Sequence, residues 1–218
     1  MPETARCNMR RPAELVFAPL VLLDAPALLM TGAVKRYYET YLQKWDRVGA
    51  VAPSSRFLAR AITNHVEPSD SILEIGAGSG AFTRVLAGKV PDEHLHVLEV
   101  DPERERTLRQ YASNVYLTGA LDFLDAPPLD LAGFKAVSGL PLLNFEEDFR
   151  RTLWQRLFRE AGVRSIRQFT YSPVPLFEEE WLADRGLTAR RTAFVLLNLP
   201  PAFVWEFTRA GDGPTGPA

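Results

Sequence analysis

The segment Leu73-Glu74-Ile75-Gly76-Ala77-Gly78-Ser79-Gly80 constrains this chain more than any other. Ser71 to Ile75 reads as a strand that runs directly into glycines spaced G-x-G-x-G. Gly76 and Gly78 permit tight turns of positive φ and let a ligand come close to the backbone. The spacing differs from the G-x-G-x-x-G of dinucleotide enzymes. Glu74 stands near the strand end, where a carboxylate can orient backbone groups and receive a ligand's ammonium, directly or through water.

Strands and helices alternate around this motif. A helix capped by Ser54 or Ser55 runs to about His65, and another continues over Thr83 to Gly88. His96 to Val100, Val115 to Leu117, Ala136 to Ser138 and Gln168 to Tyr171 read as further strands. Asp101-Pro102 opens a helix, with Asp101 as its N-cap and Pro102 in its first turn. Glu147 to Ala161 reads as helix, and Thr192 to Leu197 with Phe203 to Thr208 as an antiparallel pair. This order predicts an α/β, Rossmann-like sheet, mostly parallel, with helices on both faces, right-handed crossovers and an antiparallel C-terminal strand.

A chain of 218 residues suits one domain with an appendage. The formal net charge of −2 argues against broad electrostatic attachment to nucleic acid, so no nucleic-acid partner is expected. Cys7 is the sole cysteine, so no intrachain disulfide can form, and no metal site is expected from Cys7, His65, His94 and His96. Leu15 to Met30 is apolar but is interrupted by Pro19, Asp24 and Pro26 and is too short to span a bilayer. Residues 1–32 are expected to form a flexible extension, residues 33–210 the folded domain, and residues 211–218 a disordered tail. Val34, Tyr37, Tyr38, Tyr41, Leu42 and Trp45 make one apolar stripe, so residues 33–48 read as an amphipathic helix with a basic polar face.

The second functional signal is Glu99, 25 residues after Glu74 at the end of the next predicted strand. Ligands of such sheets bind beyond the carboxyl ends of the strands, where an acid can accept both hydroxyls of a ribose. Loop, strand context and acid together predict binding of S-adenosylmethionine (SAM) by Glu74, Gly76, Ala77, Gly78, Gly80 and Glu99. Backbone amides near Ala120 would read the adenine edge. Methyltransferases of this plan often carry Gly-Asp-Ala after the third strand, with the acid on the adenine amine. Here Thr118-Gly119-Ala120-Leu121-Asp122-Phe123 puts glycine at the acid's position.

Four segments narrow the class: Gly49-Ala50-Val51-Ala52-Pro53-Ser54-Ser55, Ser138-Gly139-Leu140-Pro141-Leu142-Leu143-Asn144, Gln168-Phe169-Thr170-Tyr171-Ser172-Pro173 and Leu197-Asn198-Leu199-Pro200-Pro201-Ala202. Over residues 33–208 the chain resembles bacterial phospholipid N-methyltransferases that act on phosphatidylethanolamine. These share their glycine loop with ribosomal RNA adenine dimethyltransferases. The resemblance implies that carbonyls of Ser138, Gly139 and Leu140 aim a neutral headgroup amine at the SAM methyl, with Pro141 fixing the turn. It implies that Tyr171 faces the headgroup, because aromatic faces attract methylated ammonium groups. It also implies that residues 34–47 rest on an anionic membrane surface, making a cytoplasmic enzyme peripheral on the inner face of the cell membrane. The chain departs from these relatives at Gly119 and at Glu160-Ala161-Gly162-Val163-Arg164, where they often have Pro-Gly-Gly. An RNA adenine or small-molecule N-methyltransferase, or a non-catalytic lipid- or protein-binding member of the fold, are the alternatives.

Overall fold

The computed structural model describes residues 55–212. The expected N-terminal extension, the amphipathic helix over 33–48 and residues 213–218 of the expected tail lie outside the described residues.

The described residues form one seven-stranded sheet. Its strands are β1 (Ile72–Ile75), β2 (Leu95–Glu99), β3 (Asn114–Leu117), β4 (Lys135–Ser138), β5 (Ser165–Thr170), β6 (Leu187–Val195) and β7 (Ala202–Arg209), arranged β3-β2-β1-β4-β5-β7-β6. Strands β1 to β5 are parallel, and β7 runs antiparallel between β5 and β6. Every residue of β1, β2 and β5 is buried, as expected of parallel strands covered on both faces. The chain builds outward from β1 to β3 and then returns to β4 on the other side. The connections therefore diverge between β1 and β4, which opens a crevice at the carboxyl ends of the strands.

Helix α1 (Arg56–Thr63) starts at Ser55, whose Oγ accepts from the Leu58 N–H at 3.1 Å. Its Leu58 and Ile62 pack with Phe82 and Leu86 onto Val97, Val137 and Val204 of the sheet. Helices α2 (Thr83–Leu86) and α3 (Glu105–Leu108) are single turns, the latter preceded by a 3₁₀ turn that Asp101 caps. On the opposite face, α5 (Glu147–Gln155) continues into a π-helical turn over Arg156–Glu160. There Trp154, Leu157, Phe177 and Trp181 cover Ile75, Ile166 and Phe207. Two short helices, α4 (Ala120–Asp125) and α6 (Glu179–Ala183), have no side-chain cap and no long apolar period, so the sequence pattern did not reveal them.

Two strands differ most from expectation in their bounds. Strand β5 begins at Ser165, not Gln168, and ends before Tyr171. Arg167 hid its start, because a charged residue normally argues against a fully buried strand. Strand β6 begins at Leu187, not Thr192, because it is an edge strand with an exposed face.

Arg167 is buried because its charge is matched across the sheet. Its Nε donates to Glu206 Oε1 of β7 at 3.1 Å, and Arg190 Nη2 of β6 donates to Glu206 Oε2 at 2.8 Å. Arg167 Nη1 also reaches the Ala61 carbonyl at 3.3 Å and the Asn64 side chain, tying α1 to the sheet. Removing one partner of a buried pair strands the other charge, at a cost of about 3–5 kcal/mol. Glu206→Gln is accordingly expected to lower the urea-unfolding free energy by about 3 kcal/mol. A double replacement of Arg167 and Glu206 by methionine should recover most of that loss.

Candidate functional site

The crevice is built around two backbone segments that nearly touch. Gly76 and Gly78 have φ of +73° and +54°, a region that side chains rarely adopt. The amides of Gly76 and Ala77 both donate to the Leu98 carbonyl, at 2.9 and 3.2 Å, which ties the loop to β2. From the other side, the Gly139 N–H donates to the Ile75 carbonyl at 2.8 Å. A Cβ on Gly139 would drive into the Gly76 carbonyl oxygen, and one on Gly76 would meet the Leu140 side chain. Only glycine at 139 lets the β4 exit lie this close to the glycine loop. Gly139→Ala is expected to separate the two segments and weaken ligand binding in the crevice at least tenfold. Calorimetric titration with S-adenosylhomocysteine would measure this, and circular dichroism should show the fold retained.

Glu99 closes the loop on its second side. Its Oε2 accepts from the Gly78 N–H at 2.6 Å, and its Oε1 accepts from the amides of Val100 and Asp101, both at 2.9 Å. An ionised carboxylate offers about four acceptor positions. Three are taken by the backbone, so Glu99 has room for one further donor rather than the two ribose hydroxyls expected from sequence.

A cavity of about 840 Å³ occupies the crevice. The β1 exit contributes Gly76, Ala77 and Gly78, and the β2 exit contributes Glu99, Val100 and Asp101. The β3 exit adds Gly119, Ala120 and Asp122, and the β4 exit adds Gly139, Leu140 and Pro141. A Cβ built on Gly78 meets no atom within 4 Å, so this glycine faces open space. The end of the cavity near Gly139 is walled by phenylalanines. Phe145 and Phe149 stack with ring centroids 4.8 Å apart, and Phe82 meets Phe169 edge-on at 5.9 Å.

Four residues expected at the site do not line this cavity. Gly80 turns the chain toward α2, its amide donating to the Ala77 carbonyl at 3.0 Å. The Ser138 hydroxyl is fully buried beneath the turn without a hydrogen-bond partner. Tyr171 lies beyond β5 and packs edge-on against Phe169, with centroids 5.5 Å apart, so Phe169 is the ring that reaches the cavity. Glu74 is the fourth. Its side chain points into the α1–α2 layer, fully buried, and both its oxygens and the facing Thr83 hydroxyl lack a well-formed hydrogen bond.

Burial, opposed by Thr83 and reinforced by the charge of Glu99, pushes the Glu74 pKa from 4.5 up to about 8. Burial thus favours the neutral form of Glu74, and a carboxyl enclosed away from the cavity offers a ligand's ammonium no direct charge partner. In the unfolded chain this carboxyl ionises above about pH 4.5. Its contribution is intact below that value and is lost as pH rises toward 8, at up to about 1.4 kcal/mol per pH unit. Glu74→Gln should flatten this decline in urea-unfolding free energy measured between about pH 5 and about pH 8.

The turn after β4 lines the cavity, but its carbonyls are not equally available. The Leu140 carbonyl, expected to aim an amine, already accepts from Gln168 Nε2 and from the Leu142 amide, both at 2.9 Å. The Gly139 carbonyl receives no backbone hydrogen bond among the described residues.

Sequence reasoning missed the phenylalanine wall and the amide of Gln168. The spacing of Phe145 and Phe149, four apart, was a signal, but it reads equally as core. No local pattern shows that Phe82 and Phe169, far apart in sequence, meet.

No protein-family model and no curated protein sequence matches the chain. Solved structures do match its fold. Magnesium protoporphyrin IX methyltransferase from Synechocystis, solved with bound SAM, aligns with a TM-score of 0.52 at 12% identity over 85% of this chain and 100% of that one. The 1,6-didemethyltoxoflavin-N1-methyltransferase of Burkholderia thailandensis, with bound 1,6-didemethyltoxoflavin and S-adenosylhomocysteine, aligns at 0.53 with 15% identity over 87% and 94% of the two chains. TrmK of M. capricolum, in complex with S-adenosylhomocysteine, aligns at 0.53 with 10% identity over 69% and 67%. The chain therefore has the Rossmann-like fold of SAM-dependent methyltransferases.

Proposed function

We propose that this protein is a SAM-dependent N-methyltransferase whose acceptor is the amine of a phospholipid headgroup, phosphatidylethanolamine. The observation that carries the reading is the composition of the cavity: backbone amides and carboxylates at the β1–β3 exits, and four phenylalanines beside the Gly139–Pro141 turn. SAM, when bound, supplies an electrophilic methyl group on a positively charged sulfonium. Glu99 has one acceptor position open for a ribose hydroxyl, and the space over Gly78 admits the ligand close to the loop. The Gly139 carbonyl can accept an N–H from a neutral amine and aim its lone pair. Phe145, Phe149, Phe82 and Phe169 supply aromatic rings, whose faces attract a methylated ammonium. Positioning, rather than covalent chemistry, supplies the rate.

The lipid part of the proposal is supported by the rim. Val174, Leu196, Leu197 and Leu199 are between 49% and 67% exposed on loops leaving the carboxyl ends of β5 and β6. Leu143, 41% exposed, follows the β4 exit at the same edge of the sheet. Apolar side chains grouped at the acceptor side suit an enzyme that works against a lipid surface. Residues 34–47, in which Lys35, Arg36, Lys44 and Arg47 outnumber Glu39 and Asp46, would add attraction to an anionic inner leaflet.

Incubation with radiolabelled SAM and anionic vesicles containing phosphatidylethanolamine should place label on the lipid, and Gly139→Ala should abolish it. A Leu197→Asp/Leu199→Asp pair should slow vesicle methylation at least tenfold while S-adenosylhomocysteine affinity stays unchanged. Label on RNA or on a soluble amine, with none on lipid, would keep the methyltransferase and overturn its acceptor.

A further inference from the structure

The turn after β4 keeps one carbonyl open to an acceptor amine, and a buried glutamine decides which one. Gln168 is fully buried in β5 and does not line the cavity. Its Nε2 carries two hydrogens and donates both to carbonyls, Leu140 at 2.9 Å and Phe169 at 2.7 Å. The Leu142 amide takes the second lone pair of the Leu140 carbonyl at 2.9 Å, so that oxygen is saturated. The Pro141 carbonyl is turned into the following 3₁₀ turn, where it accepts from the Asn144 amide at 2.9 Å. Gly139 lines the cavity, and its carbonyl accepts no hydrogen bond among the described residues. The wall beside it is phenylalanine, leucine and proline, whereas the carboxylates lining the cavity stand at the β2 and β3 exits.

We infer that Gln168, by drawing the Leu140 carbonyl into the core, limits the acceptor site to a single N–H, so that methyl transfer proceeds on primary and secondary amines and stops at the tertiary amine. This rests on the amine-methylating reading given above. In each transfer the nitrogen lone pair forms the new N–C bond, while the S–CH3 bond breaks and its electron pair stays on sulfur, leaving S-adenosylhomocysteine. The methylated ammonium then gives one proton to water and becomes the next neutral acceptor. The two N–H bonds of a primary amine diverge, so a single oxygen accepts only one of them in a well-aligned bond. Primary and secondary amines therefore meet the Gly139 carbonyl in the same way, and its hydrogen bond aims their lone pair. A neutral tertiary amine has no N–H. It sets a methyl group against that carbonyl, and nothing directs its lone pair to the SAM methyl. Protonated, it can donate again, but the proton then holds the lone pair. A polar group left unpaired in this way costs roughly tenfold or more. The dimethylated amine is thus the product.

The test uses the full chain with saturating SAM and three kinds of anionic vesicle, containing phosphatidylethanolamine, its N-monomethyl derivative or its N,N-dimethyl derivative. Initial rates are taken across pH, so that each is referred to the neutral fraction of its own amine. The first two lipids should be methylated at comparable rates and the third at least tenfold more slowly, with dimethylated lipid accumulating. Equal turnover of the dimethyl lipid, giving trimethylated product, would overturn the single-acceptor site. Gln168→Met removes the amide and keeps an unbranched side chain of similar length. The Leu140 carbonyl should then take the second N–H of a primary amine, raising the rate on unmethylated relative to monomethyl lipid by about threefold or more. A uniform loss on both lipids, with that ratio unchanged, would show that Gln168 only supports the fold and overturn its role. The comparison of lipids on the unsubstituted protein stands whether or not this variant folds. Absence of label from all three lipids, with S-adenosylhomocysteine still bound in calorimetry, would instead overturn the lipid acceptor on which the inference depends.

Discussion

Backbone contact between Gly76 and Gly139 sets the geometry on which the rest of the site depends. The two residues leave neighbouring parallel strands at the point where the sheet's connections diverge. The Gly139 amide is held on the Ile75 carbonyl, and the space where its Cβ would stand is taken by the Gly76 oxygen. This fixes the glycine loop relative to the turn through Leu140 and Pro141. Gln168 extends the constraint to a third strand, because its amide holds the Leu140 carbonyl from β5. The loop, the turn and β5 thus behave as one rigid edge, and a ligand meets a preformed surface.

Two acids near this edge illustrate how environment divides chemically similar groups. Glu99 and Glu74 both stand near strand ends, yet Glu99 receives three backbone amides, whereas Glu74 has only Thr83 nearby and no well-formed hydrogen bond. Hydrogen bonds to a carboxylate favour its charge, and burial without them disfavours it. Glu99 consequently serves the cavity, while burial behind the loop favours the neutral form of Glu74. The ion pair of Arg167 with Glu206 shows the third outcome, in which a buried charge is met by an opposite one. That pair lies on the same sheet layer as α1, away from the cavity lining, and its work is to hold β5, β7 and α1 together.

The cavity changes character along its length. Amides and carboxylates gather where β1, β2 and β3 end, and aromatic rings gather where β4 and β5 end. Such a gradient suits a ligand that is polar at one end and carries a small electrophilic group at the other. The exposed leucines and Val174 continue the apolar side outward onto the surface. The cluster of such residues on the loops after β4, β5 and β6, beside the reacting end, is what links the cavity to a lipid acceptor in the proposed function.

Local sequence was enough to specify the sheet's class and the location of its ligand edge. A strand entering G-x-G-x-G, an acid at the next strand end, and regular strand–helix alternation are short-range patterns, and each follows from backbone conformation or from the burial of nearby residues. That is why Gly76, Gly78, Glu99, Ala120 and Gly139 were legible in the order of residues alone. Which polar atoms remained available was settled only by contacts between distant segments. Leu140 lost its carbonyl to a glutamine 28 residues away, and Tyr171 yielded the cavity to its neighbour Phe169 because β5 ended one residue short. Glu74 was turned inward by the alternation of β1, which puts it on the face of Ile72 rather than that of Leu73 and Ile75. Hydrogen-bond saturation and side-chain direction depend on partners distant in sequence, and no local pattern encodes them.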